Sequence, residues 1–214
     1  MRRTLQAELL DLLPPDHPEA LHSRRDLRLI NRIMGNHRWM ARTLAPLLAP
    51  GEVALEVGAG DGVLGLQLAA AGLAVDGLDL WPRPAGWPPG RAWQSADLRT
   101  FAGYADYPVV IGNLIFHQLS ENELAELGAA LRPNARAIVA CEPARQRFSQ
   151  ALLAVFGPPL GAAAVTRHDA RVSVAAGFQR DELPRALGLD AGEWNIRCFS
   201  TVLGAYRMVA TRRS

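Results

Sequence analysis

A short apolar segment that ends in a cluster of glycines constrains the fold of this chain more than any other feature. Residues 53–57 (Val-Ala-Leu-Glu-Val) have the composition of a buried strand, and Gly58, Gly60 and Gly62 follow at once. Glycines permit the backbone angles of a sharp turn, and they let a ligand approach the bare backbone. The segment therefore predicts a strand, a ligand-binding turn and an apolar helix that ends near Ala71.

Apolar segments of strand length recur farther along the chain, at residues 75–80, 92–95, 108–112 and 137–141. Ser120 and Glu123 have the spacing of a capping box, which predicts a helix that begins there and runs to Leu131. Continuous apolar strands that alternate with helices are typical of a parallel sheet covered on both faces. Two adjacent strand-like segments at 194–200 and 202–211 predict an antiparallel hairpin at the edge of that sheet.

The pattern differs before the first strand and between the second and third strands. Apolar positions in residues 21–48 follow the helical period, and Gly35 with Asn36 divides this stretch into two predicted helices. Residues 81–90 contain four prolines, so an irregular connection is expected there in place of a helix. We expect a single domain over residues 1–214, in which residues 1–50 form a helical cap on an α/β core at 51–214.

Composition excludes several chemistries. All 23 basic residues are arginine, so the chain has no Schiff-base lysine and no phosphate-loop lysine. The net charge of +2 implies no general attraction to polyanions. Cys141 and Cys198 lack metal-ligand spacing, and no metal site is expected. Because no apolar run is long enough to span a bilayer, we expect a soluble, cytoplasmic protein that does not associate with membranes.

Glu56 distinguishes between two ligands that the glycine turn can hold. Residues 60–65 match the G-x-G-x-x-G pattern of dinucleotide-binding proteins, which keeps an NAD(P)-dependent oxidoreductase as an alternative. A carboxylate just before the turn favours a cationic ligand and repels a pyrophosphate. The segment from Glu56 to Gly62 (Glu-Val-Gly-Ala-Gly-Asp-Gly) resembles the E/D-x-G-x-G-x-G motif of class I S-adenosylmethionine (SAM) dependent methyltransferases.

This resemblance continues at the ends of the next strands and covers about residues 51–211. It implies a Rossmann-like three-layer sandwich with a mostly parallel seven-stranded sheet, an antiparallel C-terminal hairpin and SAM as the cofactor. By resemblance, Asp79 would bind the ribose hydroxyls, Asp97 the adenine amino group, and Asn113 would lie at the methionine end. The residues expected to bind the cofactor are Glu56, Gly58, Ala59, Gly60, Asp61, Asp79, Leu80, Asp97, Leu98, Asn113 and Leu114.

Two histidines are candidate bases for removing a proton from a methyl acceptor. His117 follows Asn113 in the loop that the family places over the methyl group, although it can instead pack against or cap the next helix. His168 is adjacent to Asp169, which can orient it, but a surface turn is the alternative. Transfer from an activated sulfonium depends mainly on alignment, so a base is not essential.

The cap is expected to close over the cofactor, as in many small-molecule methyltransferases. In that arrangement Arg38 or Arg42 would meet the methionine carboxylate. The alternative for the basic residues of this region is a solvated face, because Arg24, Arg28 and Arg32 recur every four residues.

The sequence predicts a bacterial-type small-molecule methyltransferase that acts on an oxygen or carbon nucleophile of an apolar or aromatic metabolite. The apolar residues 148–165 are a candidate wall for such a substrate. An RNA methyltransferase is the alternative within the class, motivated by the arginines of residues 24–42, but no basic balance supports nucleic-acid binding. A protein that binds SAM without catalysis also stays open, and the sequence does not indicate an oligomeric state.

Overall fold

The computed structural model describes residues 3–9, 13, 17–146 and 164–213. Its strands are β1 (Ala54–Val57), β2 (Val75–Asp79), β3 (Trp93–Ser95), β4 (Val109–Asn113), β5 (Ala137–Pro143), β6 (Trp194–Ser200) and β7 (Ala205–Arg212). They form one seven-stranded sheet in the order β3-β2-β1-β4-β5-β7-β6. β1 to β5 are parallel, and β7 pairs antiparallel with both β5 and β6. The predicted sheet, including its terminal hairpin, is confirmed.

The helices are α1 (Pro18–Met34), α2 (Asn36–Leu44), α3 (Val63–Ala70), α4 (Glu121–Leu131), α5 (Ala164–Ala176) and α6 (Glu182–Ala186). Short 3-10 helices occupy Ala45–Leu47, Gly103–Asp106 and Phe116–Gln118. Gly35 separates α1 from α2 because its φ of 65° lies in the left-handed region, which ends the first helix. At the start of α4, Ser120 and Glu123 form the predicted capping box.

The sheet separates two apolar cores, one on each face. The first core joins Leu55 and Val57 of β1 to side chains of α4 and α6. The second joins Ala54 to α2 and α3 through Met40, Leu44, Leu64 and Leu68. Because side chains alternate along a strand, Glu56 lies on the same face as Ala54, beneath α3. The helix layers on both faces make the three-layer sandwich that the sequence predicts.

An indole occupies the place of the helix that is absent between β2 and β3. Trp87 is buried, and its ring lies so close to Gly65 and Gly77 that a Cβ at Gly65 would be 2.4 Å from it. The ring meets Trp93 edge to face at 4.8 Å between centroids, and its Nε1 donates to the carbonyl of Ala92 at 3.1 Å. The predicted irregular connection is confirmed, and the glycines of α3 and β2 make room for its tryptophan.

Part of the segment between β5 and β6 lies outside the described residues. The predicted apolar wall at residues 148–165 is in that part, except for its last two residues, which begin α5. Within the described ranges, no helix is both long and apolar enough to cross a membrane.

Trp87→Ala is expected to lower the free energy of unfolding by about 3–5 kcal/mol, because glycine neighbours have no side chains that can fill the cavity. Pro89→Ala, at an exposed position of the same connection, is the control and should change stability by about 1 kcal/mol or less. Urea denaturation followed by circular dichroism measures both. Equal effects of the two substitutions would show that Trp87 does not replace a helix in the packing.

Candidate functional site

A cavity of about 500 Å³ opens at the carboxyl ends of β1, β2, β3 and β4. Ligands of open α/β sheets bind at this edge. All eleven residues that the sequence predicts as cofactor ligands line it: Glu56, Gly58, Ala59, Gly60, Asp61, Asp79, Leu80, Asp97, Leu98, Asn113 and Leu114. The cap adds Arg24, Leu27, Arg28, Asn31 and His37. The cavity therefore lies between the glycine turn, three further strand ends and the N-terminal helices.

The glycine turn presents bare backbone to this cavity. Gly60 has a φ of 57°, and a Cβ added there would have no atom within 4 Å, so the space beside it is open. Gly58 serves a different purpose, because a Cβ there would lie 2.3 Å from the side chain of Ile115. The amide of Gly60 donates to Asp79 Oδ2 at 2.8 Å, and the amide of Trp81 donates to Asp79 Oδ1 at 2.9 Å. These two bonds hold the Asp79 carboxylate at the cavity.

Glu56 is a buried carboxyl group that lacks a full set of partners. Its side chain is 2% exposed, and among the described residues its Oε2 atom has no hydrogen-bond partner. Burial, together with the negative charges of Asp61 and Asp79, raises its pKa to about 8, against a lowering contribution from the amide of Gly65. A cationic ligand in the cavity would donate a hydrogen bond to Oε2, and its positive charge would stabilise the ionised carboxylate.

The arginines that border the cavity are not those expected to meet a carboxylate. Arg38 and Arg42 are exposed and do not line it, whereas Arg24 and Arg28 do. The difference arises because α1 crosses the cavity with one face, on which residues spaced by three and four positions lie together. Arg28 pairs with Asp61 at 3.0 Å across the opening. Arg28 is nevertheless exposed, so the solvated-face alternative stays open for this side of α1.

Asp61 has a second contact at the start of α3. Its Oδ1 accepts from the amide of Val63 at 3.4 Å, at the first residue of α3. The long distance makes this a weak cap. Asp61 thus closes the turn on one side and faces Arg28 on the other.

Asp97 lies at the cavity in an ion pair with its neighbour. The Arg99 guanidinium hydrogen-bonds to Asp97, with Nη2 2.5 Å from Oδ2, and this bond lowers the pKa of the Asp97 carboxyl. Arg99 also reaches Glu123 at the start of α4, at 2.9 Å. Asp97 is therefore ionised at neutral pH and is linked through Arg99 to the start of α4.

The backbone after β4 turns sharply at the cavity. Leu114 has a φ of 61°, which is rare for a residue with a side chain, and its amide donates to the carbonyl of Cys141 at 2.9 Å. Such strain persists only where the surroundings enforce it, and it often accompanies function. Asn113, just before this turn, has its Nδ2 3.4 Å from Asn31 Oδ1 on α1.

His117 lies beside the cavity wall without lining it, as far as the described residues go. Its Nδ1 is 2.7 Å from Glu142 Oε2, and its Nε2 is 3.2 Å from Glu8 Oε1. Burial disfavours the imidazolium, but hydrogen bonds to Glu142 and Glu8 outweigh it and raise the pKa of His117 to about 9. A base role for His117 stays a prediction, and the contacts favour the packing alternative because both ring nitrogens are engaged.

His168 lies on α5, exposed, with Nδ1 3.0 Å from Asp169 Oδ1. The predicted contact between the two residues is present. Asp169 in turn accepts from the amide of Leu9 at 2.8 Å, so it ties the N-terminal segment to α5. His168 is not among the residues that line the cavity, and its catalytic role also stays a prediction.

No family model matches the sequence, and no curated protein matches it at a significant level. Solved structures do match. The plantazolicin methyltransferase BpumL in complex with SAH aligns with a TM-score of 0.72 and 13% identity, over 96% of this chain and 93% of that chain. Magnesium protoporphyrin IX methyltransferase (ChlM) from Synechocystis PCC 6803 with bound SAM aligns with a TM-score of 0.57 and 17% identity, over 89% and 84%.

The chain therefore has the Rossmann-like fold of the class I SAM-dependent methyltransferases, as its glycine motif predicts. At this level of identity the likeness establishes the fold alone. The sequence missed the contribution of Arg24, Leu27 and Asn31. Their helical spacing predicts that they share one face of α1. It does not predict which part of the protein that face contacts.

The contacts of His117 generate a prediction about stability. A histidine whose pKa rises on folding stabilises the protein fully below its unfolded pKa of about 6.5, and this stabilisation is lost as pH rises through about 9. We expect His117→Gln to lower the free energy of unfolding at pH 6 by about 3 kcal/mol, because two buried carboxylates lose their partner. At pH 10 the difference from the parent should be smaller.

His168→Gln is the control, because His168 is exposed and should change stability by about 0.5 kcal/mol or less. Denaturation curves at both pH values measure the effect. A His117→Gln variant as stable as the parent at pH 6 would show that the contacts of His117 with Glu142 and Glu8 do not stabilise the fold.

Proposed function

We propose that this protein is a SAM-dependent methyltransferase that acts on a small-molecule acceptor. The observation that carries the proposal is the partly unpartnered, buried carboxylate of Glu56 in a cavity that also exposes bare glycine backbone. The carboxylates of Asp79 and Asp97 lie at the ends of the next two strands and line the same cavity. This set of acceptors suits a ligand that carries an ammonium, a ribose diol and an exocyclic amino group.

Four of the charged groups at the cavity have a part in holding such a cofactor. Glu56 binds the ammonium, Asp79 the ribose hydroxyls and Asp97 the adenine amino group. Arg28 binds the methionine carboxylate in exchange for its exposed ion pair with Asp61. Leu80, which is 68% exposed, offers an apolar surface to the adenine.

Alignment is the main contribution of the protein to the reaction in this proposal. SAM, when bound, supplies a methyl group on a sulfonium sulfur, which needs little further activation. The turn at Leu114 and the side chain of Ile115 line the cavity and restrict where an acceptor can lie. His117 would act as a base only if the segment that carries Glu8 moved away from it.

The acceptor we propose is an apolar or aromatic metabolite with an oxygen or carbon nucleophile. The apolar lining residues Leu27, Leu114 and Ile115 support it, as does the small net charge of +2. The names of the structural neighbours, which refer to plantazolicin and a porphyrin, are consistent with a small-molecule or peptide acceptor. Arg24 and Arg28, two of the arginines that suggested RNA, line the cavity instead.

A thermal-shift experiment with four ligands tests the cofactor class. A ligand that binds only the folded state raises the melting temperature by mass action. We expect SAM and S-adenosylhomocysteine (SAH) to raise it, and NAD and NADP to leave it unchanged, since Glu56 would face their pyrophosphate. Stabilisation by NAD or NADP alone would replace the proposal with the oxidoreductase alternative.

Gly60→Val tests the position of the cavity. The new side chain has no protein atom to meet, so it projects into the space proposed for the ligand. We expect it to abolish SAH binding in calorimetry. Gly72→Val is the matched control: Gly72 also has a positive φ and open space around it, but it does not line the cavity. The two variants share the backbone strain, so equal SAH binding by both would place the ligand elsewhere.

Glu56 predicts a pH dependence of binding. Its pKa of about 8 means that the carboxyl group is mostly protonated at pH 6 without a ligand. An ammonium favours the carboxylate, so binding releases a proton and SAH affinity should rise between about pH 6 and pH 8. Glu56→Gln should bind more weakly and lose this part of the pH dependence. Calorimetry in buffers of different ionisation enthalpy measures the number of protons released on binding. An identical proton release in the Glu56→Gln variant would exclude Glu56 as the source of the proton.

A further inference from the structure

Three asparagine side chains join the cap to the end of β4. Asn31 Nδ2 donates to the carbonyl of Leu27 at 3.1 Å within α1. Asn31 Oδ1 then accepts from Asn36 Nδ2 at 2.9 Å, and it lies 3.4 Å from Asn113 Nδ2. A carbonyl oxygen can only accept, so the Leu27 carbonyl fixes which end of the Asn31 amide points where. The direction of the whole chain of amides follows from that single carbonyl.

Because its Nδ2 faces Asn31, the Asn113 side chain turns its oxygen, Oδ1, away from Asn31. Within the part of the chain that the structure describes, Asn113 Oδ1 is buried and has no hydrogen-bond partner. A buried acceptor of this kind is costly unless something donates to it. The side chain lines the cavity, so a bound ligand is the donor available to it.

Glu56 presents a second such oxygen on the same face of the sheet. Glu56 pairs in register with Ile111 of β4, and Asn113 lies two residues after Ile111, so both side chains project to the side of α2 and α3. Glu56 Oε2 is likewise buried, with no partner among the described residues. Adjacent strand ends thus carry one carboxyl oxygen and one amide oxygen without a donor in the described ranges, at a common cavity.

A group with several N–H donors and a positive charge satisfies both oxygens, and an ammonium is such a group. We propose that Asn31 is a positioning residue that turns the Asn113 amide oxygen toward the cofactor's ammonium group. The inference rests on the proposed function. If the amide were reversed, its N–H bonds would face the ammonium and repel it.

Asn31 itself is 7% exposed and already has a partner for each end of its amide. It acts through Asn113, and it belongs to the cap, whereas Asn113 and Glu56 belong to the sheet. The cap would therefore contribute to cofactor recognition by fixing an orientation inside the core.

The test compares SAH with 5′-methylthioadenosine, which shares the adenosine and the sulfur but has no ammonium. Asn31→Leu removes the oxygen that Asn113 Nδ2 faces at 3.4 Å, so the Asn113 amide can turn. We expect SAH affinity to fall about ten-fold, in line with the loss of one charge-assisted hydrogen bond. The affinity for 5′-methylthioadenosine should stay at the parent value. A parallel loss for both ligands would mean that Asn31 only packs the cap, and no loss for either would also overturn the proposal.

A double variant separates orientation from packing. In the double variant Asn31→Leu/Asn113→Asp, residue 113 presents an oxygen whichever way it turns, so SAH affinity should recover. Failure of the double variant to recover would overturn the proposal. If the parent binds neither ligand, the proposed function fails instead, and calorimetry on the parent distinguishes the two outcomes.

Discussion

The carboxyl group of Glu56 is buried against the first turns of α3, and the carboxylates of Asp61 and Asp79 lie near it. Gly65 of α3 must lack a side chain, because a Cβ there would lie 2.4 Å from the ring of Trp87 and 3.0 Å from Glu56 Oε2. Asp61 and Asp79 add negative charge nearby and raise the pKa of Glu56 further. Burying a carboxyl group with too few partners costs free energy, and a bound ligand can offset that cost. Carboxyl groups with perturbed pKa values in cavities therefore indicate functional sites.

The proline-rich connection after β2 gives this cavity an unusual rim. Trp87 fills the space under α3, and Trp81, which lines the cavity, has the Arg24 guanidinium 4.4 Å above its ring. An indole and an arginine from the cap thus meet where the alternation of strands and helices in the sequence would otherwise place a helix. Because Trp93 Nε1 donates to the carbonyl of Trp81 at 2.9 Å, the rim is also tied to β3. The connection is irregular in backbone but well packed.

The sequence predicted those features that depend on residues close together in the chain. A ligand at a parallel strand end is such a feature, because the strand and the residue after it are contiguous, and Asp79, Asp97 and Asn113 meet at the cavity for that reason. The contacts of the cap depend on how α1 rotates against the sheet, which sequence period alone does not set. His117 shows the same limit, because Glu8 lies 109 positions away from it.

Glu142 is a second buried carboxylate of this sheet, and its hydrogen-bond donors all come from the protein itself. It is fully buried, and it accepts from the amides of Ile115 and Phe116 at 3.0 Å each, and from both the amide and the ring of His117. Those bonds hold the strained loop after β4 in place. Glu56 is buried to nearly the same extent, yet its Oε2 has no donor in the described chain. Since one sheet fully satisfies one carboxylate and leaves the other short, the deficit at Glu56 is a property of the site, and a cationic ligand is the simplest group that removes it.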